Sequence, residues 1–213
     1  MQIIRKGKDI IMNPPIHKRT LVWLHGLGDT AEEYLTIFSK YPILKDCRLK
    51  LLTAPLIPVT EISGQFKHAW YDVDGPCQKV INPKANDCAE KITKEILIEK
   101  ETCDEVYIGG VSQGGSLALY IGLAYMDIPV NGIIGISCYM MDYFIKEKLK
   151  KIPIFLYHGE NDKRVPLVFA QNSYETYLKS VNYTFKVEKR LGHAVSRGGL
   201  NSINAWAEGL YIK

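Results

Sequence analysis

The segment with the most chemical promise is Gly110-Val111-Ser112-Gln113-Gly114, a serine in G-x-S-x-G spacing. It lies between a short apolar run and a stretch of almost wholly apolar residues. A strand, a sharp turn and a helix in that order would lift the serine hydroxyl to the helix N-terminus. The flanking glycines leave room for neighbouring backbone. A hydroxyl placed there can attack a carbonyl once a base takes its proton. The competing reading is a phosphate-binding or purely packing turn. No G-x-x-x-x-G-K-[ST] or G-x-G-x-x-G pattern is present to favour it.

The base should be a histidine oriented by a carboxylate, in the chain order Ser, acid, His. Of the five histidines, His17, His25 and His68 precede Ser112, while His158 and His193 follow it. His158 stands ahead of the best acid. His193 follows the last apolar strand and is preceded by Gly192, so it is the expected base. In His158-Gly-Glu-Asn-Asp162, Asp162 is the expected acid and Glu160 the alternative. Negative charge on the attacked oxygen needs a second backbone donor beside that of Gln113. The loop His25-Gly26-Leu27-Gly28-Asp29 would supply it from Leu27.

These residues must be positioned by alternating strands and helices. Strands are expected at Thr20–Leu24, Arg48–Leu52, Glu105–Gly109, Gly132–Ile136, Pro153–Tyr157 and Tyr183–Val187. Runs this apolar suit a mostly parallel sheet covered on both faces. Helices are expected from a cap at Asp29 or Thr30 through Ser39, and from Asn86 or Asp87 through Lys100. Further helices are expected over Ser116–Tyr125, from Pro166 or Leu167 to about Ser180, and over Leu200–Leu210. The order βαβ argues for an α/β fold whose chemistry sits beyond the carboxyl ends of the strands.

A chain of 213 residues with 46% hydrophobic residues fits one domain spanning 1–213. The net charge of +4 is too small for a nucleic-acid footprint, and the basic clusters 146–151 and 186–190 are interrupted by glutamates. Cys47, Cys77, Cys88, Cys103 and Cys138 are scattered and include no C-x-x-C pair. Neither a disulfide framework nor a cysteine metal site is expected. No leader or membrane span is legible, so a cytoplasmic protein with reduced thiols and at most transient membrane-surface contact is expected.

With these segments the sequence resembles the acyl-protein thioesterase and small carboxylesterase family. The resemblance rests on Leu24–Asp29, Trp70-Tyr-Asp72, Gly109–Gly115, Gly135–Tyr139, His158–Leu167 and Gly192-His193. It implies an α/β-hydrolase with a mostly parallel central sheet, helices on both faces and no large cap domain. It implies a triad of Ser112, Asp162 and His193, an oxyanion hole at Leu27 and Gln113, and no metal or cofactor. The implied substrates are acylated proteins, small esters or lysolipids, and the implied assembly is a monomer or weak homodimer. Leu56, Ile57, Ile62, Phe66 and Trp70, with Leu27 and Val59, are candidates for an acyl groove. The chain departs from the family pattern at Ala194-Val195, at Ser196-Arg-Gly-Gly199 and in the loop 56–76. Gln2 stands where family members often carry a lipidated cysteine, so no lipid anchor is expected there.

Overall fold

The computed structural model describes residues 1–75 and 83–210. In chain order the elements are β1 (Gln2–Lys6), β2 (Asp9–Asn13), β3 (Arg19–Leu24), α1 (Ala31–Lys40), β4 (Cys47–Leu52), β5 (Leu56–Val59) and β6 (Gln65–His68). They continue with α2 (Pro83–Lys100), β7 (Glu105–Val111), α3 (Gln113–Tyr120), β8 (Gly132–Ile136), β9 (Ile154–Gly159), α4 (Leu167–Tyr177), β10 (Tyr183–Glu188) and α5 (Arg197–Gly209).

Eight strands form one sheet in the order β1-β2-β4-β3-β7-β8-β9-β10. The pairs from β4 to β10 are parallel, while β1–β2 and β2–β4 are antiparallel. Beside it, β5 and β6 pair as a small hairpin. All six expected strands and five expected helices are present. The N-terminal hairpin and the β5–β6 hairpin were not anticipated. β1 is largely exposed, and β5 carries a proline and two exposed positions, so neither shows the apolar run of a central strand.

The period-two alternation of strand side chains divides the core between the two faces. Val22 and Leu24 of β3 face one core with α2, α3 and α4, while Leu21 and Trp23 face the other with α1 and α5. β9 divides in the same way, Ile154 and Leu156 against Phe155 and Tyr157. Trp23 packs on Tyr34 and Phe38 of α1 at ring separations of 5.8 and 5.2 Å. Pairs of this kind contribute about 1 kcal/mol each beyond area burial.

Several helix boundaries differ from expectation, each for a local reason. Thr30 caps α1 and forms a capping box with Glu33, as its sequence suggests. α3 begins at Gln113, directly after Ser112, because the turn itself starts the helix; it ends in a π turn over Ile121–Tyr125. α5 begins at Arg197 with Ser196 as its cap, so the two glycines that delay the expected start lie within its first turn. In the first basic cluster Lys146 and Lys148 pair with Asp127, and Lys150 with Glu147. Cys47, Cys88, Cys103 and Cys138 are buried free thiols, and Cys77 lies outside the described residues. Among the described residues no helix is long and apolar enough to cross a membrane.

The nucleophile turn is held by contact between bare backbones. A Cβ on Gly110 would lie 2.5 Å from the Leu24 carbonyl oxygen, and one on Gly114 would overlap the carbonyls of Leu24 and His25. Neither neighbour is a side chain that can swing aside. Gly114→Ala is therefore expected to cost about 3 kcal/mol of unfolding free energy. Gly209→Ala, where an added Cβ meets nothing within 4 Å, is expected to change stability by less than about 1 kcal/mol. Urea unfolding of the two variants checks the contrast, and equal effects would refute the contact argument.

Candidate active site

Ser112 follows β7 with φ 53° and ψ −119°, a left-handed backbone that a non-glycine residue adopts at a cost of about 1–3 kcal/mol. Surrounding bonds enforce it. Ser112 N–H donates to the Ile136 carbonyl at 2.8 Å, and the Ser112 carbonyl accepts from Ser116 N–H at 2.9 Å. The turn leaves the side chain at the wall of a cavity of about 830 Å³ that His193 also lines.

The imidazole of His193 is oriented from below. Its Nδ1 lies 2.8 Å from Asp162 Oδ2. Asp162 is buried and its carboxylate is saturated. Oδ1 accepts from the Arg164 and Val165 N–H groups, each at 2.9 Å. Oδ2 also lies 3.3 Å from His158 Nε2. Burial alone would raise the Asp162 pKa, but the donors from His158, His193 and Val165 outweigh it and hold the carboxyl well below the ordinary carboxylate range. An ionised Asp162 accepts the Nδ1 proton of His193. That leaves Nε2 as the basic nitrogen.

His158 is the residue that sequence reasoning set aside and the structure brings to the site. It is wholly buried, and its Nε2 faces two acceptors, the Val165 carbonyl at 2.9 Å and Asp162 Oδ2. Nε2–H therefore donates to both. The signal was its place four residues before Asp162, across the turn that ends β9. Glu160, the alternative acid, accepts instead from Arg190 N–H at 3.2 Å and takes no part in orienting His193.

Leu27 and Gln113 both line the cavity. Gln113 opens α3, where the first N–H groups have no acceptor within the helix. Its side chain is turned away: Oε1 accepts from Trp70 N–H and Nε2 donates to the Tyr71 carbonyl. The neighbours of Leu27 are tied down, with Gly28 N–H on the His68 carbonyl and Asp29 N–H on the Gly26 carbonyl. His25 fixes the same loop from inside. Its Nε2 accepts from Ala54 N–H at 2.9 Å, so the ring proton is on Nδ1, which donates to the Gly26 carbonyl at 2.6 Å.

The groove candidates separate. Leu27 and Ile62 line the cavity, joined by Ile37, Val73, Tyr139 and Val195, which the sequence did not single out. Trp70 is buried and supports the loop rather than the cavity wall, its Nε1–H donating to the His25 carbonyl at 2.8 Å. Val59 is buried in the core and Ile57 packs against it. Leu56 and Phe66 are exposed on the β5–β6 hairpin. The cavity wall also carries charge, from Asp29, Glu33 and Glu61 and from Lys163 and Arg164. Among the described residues no three His, Cys, Asp or Glu side chains gather as metal ligands would.

Burial lowers the His25 pKa to about 4, and protonation would also cost it the Ala54 hydrogen bond. The unfolded chain takes up this proton near the ordinary value of about 6.5. The stability contributed by the neutral ring is therefore complete above about pH 6.5 and is lost as pH falls toward 4, by up to about 3 kcal/mol. His17, also lowered by burial, acts in the same direction. Unfolding free energies measured across this window should fall with pH, and His25→Asn should flatten the fall. An unchanged slope in the variant would assign the proton uptake elsewhere.

Comparison with known proteins gives the arrangement its context. The phospholipase/carboxylesterase family model matches residues 6–208. Acyl-protein thioesterase 1 of Emericella nidulans is 28% identical over 202 residues, covering 84% of each chain. Carboxylesterase SOBER1 of Arabidopsis thaliana is 31% identical over 202 residues, covering 87% of this chain and 88% of its own. The SOBER1 crystal structure superposes with a TM-score of 0.80 over 90% of this chain and 98% of that one. Sheet order, nucleophile turn and similarity along nearly the whole length agree: the chain belongs to the phospholipase/carboxylesterase family of α/β-hydrolases.

Proposed function

We propose that this chain, working as one α/β-hydrolase unit, cleaves acyl thioesters or esters through an acyl-enzyme at Ser112. The observation that carries the reading is the 2.8 Å contact of His193 Nδ1 with a saturated, ionised Asp162, at a cavity shared with the strained Ser112. His193 Nε2 takes the Ser112 proton as Oγ attacks the carbonyl carbon. The Leu27 and Gln113 N–H groups receive the resulting oxyanion. His193 then protonates the departing thiol or alcohol. Water, deprotonated by the same nitrogen, attacks the acyl-enzyme, and the imidazolium returns that proton to Ser112 Oγ as the acid leaves. The scheme uses side chains, backbone donors and water alone.

The thioesterase relatives support an acylated protein as substrate; the reading places the enzyme in the cytoplasm, with at most transient contact with a membrane surface. The apolar cavity wall supports an acyl chain as the group retained on Ser112. A second reading, a carboxylesterase for short soluble esters or lysolipids, is favoured by the SOBER1 similarity and by the charged side chains on the same wall.

A fluorophosphonate probe should label Ser112 in the wild type. Ser112→Ala should abolish labelling, and it should lower ester turnover by about 10⁴-fold or more. Asp162→Asn should lower kcat by up to about 10⁴-fold, because the carboxylate that fixes the His193 tautomer is lost. An unlabelled wild type would refute the hydrolase reading. Rates on p-nitrophenyl esters of increasing chain length, beside a palmitoyl-thioester peptide, separate the two substrate readings. Collapse beyond short chains would leave the short-ester reading standing.

A further inference from the structure

The loop that carries His193 is closed at its base by three side chains that do not line the cavity. Glu188 ends β10 and Ser196 caps α5, so the two flank residues 189–195. The Glu188 carboxylate accepts hydrogen bonds from the Ser196 hydroxyl and from the Tyr157 hydroxyl, which reaches it from β9. Tyr157 Oη and Ser196 Oγ lie 3.1 Å apart. Ser196 Oγ also accepts from Gly199 N–H at 2.9 Å, so one hydroxyl both caps the helix and closes the loop. Each hydroxyl hydrogen has a single use, on Glu188.

This cluster gives a reason for the run Ser196-Arg-Gly-Gly199. A Cβ on Gly199 would lie 2.7 Å from Cε1 of the Tyr157 ring, and one on Gly198 would lie 3.2 Å from Glu188 Oε2. The two glycines admit the tyrosine ring and the carboxylate against the first turn of α5. A carboxylate there also meets the positive end of the helix dipole.

The closed loop is docked on the loop that carries Asp162. Glu160 N–H donates to the Glu188 carbonyl at 2.9 Å, and Asn161 N–H to the Leu191 carbonyl at 2.8 Å. His193 thus projects from a segment pinned at Glu188, Leu191 and Ser196. A displacement of about 1 Å in a reacting group can cost about 10²-fold in rate, so pinning of this kind acts directly on turnover.

We propose that Glu188, Tyr157 and Ser196 form a latch that positions His193, acting through the loop and never touching substrate. The proposal rests on the reading of Ser112, Asp162 and His193 as the triad. Three variants separate the latch from the helix cap. Ser196→Asp keeps a good cap for α5 but has no hydrogen to give Glu188 and places a like charge beside it. Tyr157→Phe removes one donor and leaves the cap and the ring contact with Gly199 intact. Ser196→Thr keeps both hydrogen bonds.

Turnover of p-nitrophenyl acetate, the rate of fluorophosphonate labelling, and the downfield Nδ1 proton resonance of His193 are measured in each. The latch predicts about a tenfold or greater fall in kcat and labelling rate for Ser196→Asp and Tyr157→Phe. KM should be unchanged and the His193 resonance broadened or lost, while Ser196→Thr stays close to wild type. If Ser196→Asp does not fold, Tyr157→Phe decides. Wild-type kcat with a sharp resonance in a folded Tyr157→Phe would overturn the latch. So would a loss of thermal stability that leaves the resonance unmoved. A wild type that fluorophosphonate does not label would overturn the triad reading and the latch with it; a labelled wild type beside fully active variants would overturn the latch alone.

Discussion

The site depends first on a contact with no side chain in it. The first turn of α3 lies so close to the end of β3 that the Leu24 and His25 carbonyls occupy the space where a Gly114 side chain would be. This approach sets the nucleophile turn against the loop that would receive the oxyanion. Strain at Ser112 persists because the bonds to Ile136 and Ser116 and the glycine contacts leave the backbone no relaxed alternative. The resulting geometry is built before any substrate arrives, and fixed donors stabilise a developing charge without reorganising.

The other half of the site follows the same rule, with two loops instead of a loop and a helix. A side chain on Gly159 would overlap the carbonyls of Leu191 and Gly192, so the Asp162 and His193 loops also meet backbone to backbone. Both contacts fall at the carboxyl ends of parallel strands, β3 with β7 and β9 with β10. The right-handed crossovers of a parallel sheet bring those ends to one edge, however far apart they lie in the chain.

Much of this was legible in the sequence because it depends on local rules. The apolar runs from Thr20, Glu105 and Gly132 identify buried parallel strands, and G-x-S-x-G between a strand and an apolar helix identifies the turn. Chain order singles out His193 over His158, and of the two it is His193 that lines the cavity with Ser112. What escaped depends on contacts between distant segments. Trp70 looks like a groove residue by type, yet its Nε1–H is spent on His25 and its ring is buried. β1 and the β5–β6 hairpin lie at edges, where exposed faces erase the hydrophobic signal. The early start of α5 was hidden by Gly198 and Gly199, whose poor helix propensity is overridden by the Ser196 cap and by packing on Tyr157.

The carboxylates near the site show why residue type alone cannot assign the acid. Asp29 lines the cavity, and burial raises its pKa against one side-chain donor, the Tyr34 hydroxyl at 3.1 Å. Asp162 is buried from solvent, yet its pKa is driven down because N–H groups converge on both oxygens. Glu160, two residues away in sequence, is exposed and turned toward Arg190 N–H. Environments that push two carboxylates in opposite directions give them different capacities. The group held as an anion can fix a histidine proton and stabilise the imidazolium through the reaction. Asp29 instead accepts from the Tyr34 hydroxyl. Donor count at the buried carboxylate therefore assigns Asp162 as the partner of His193, and it does so independently of chain order.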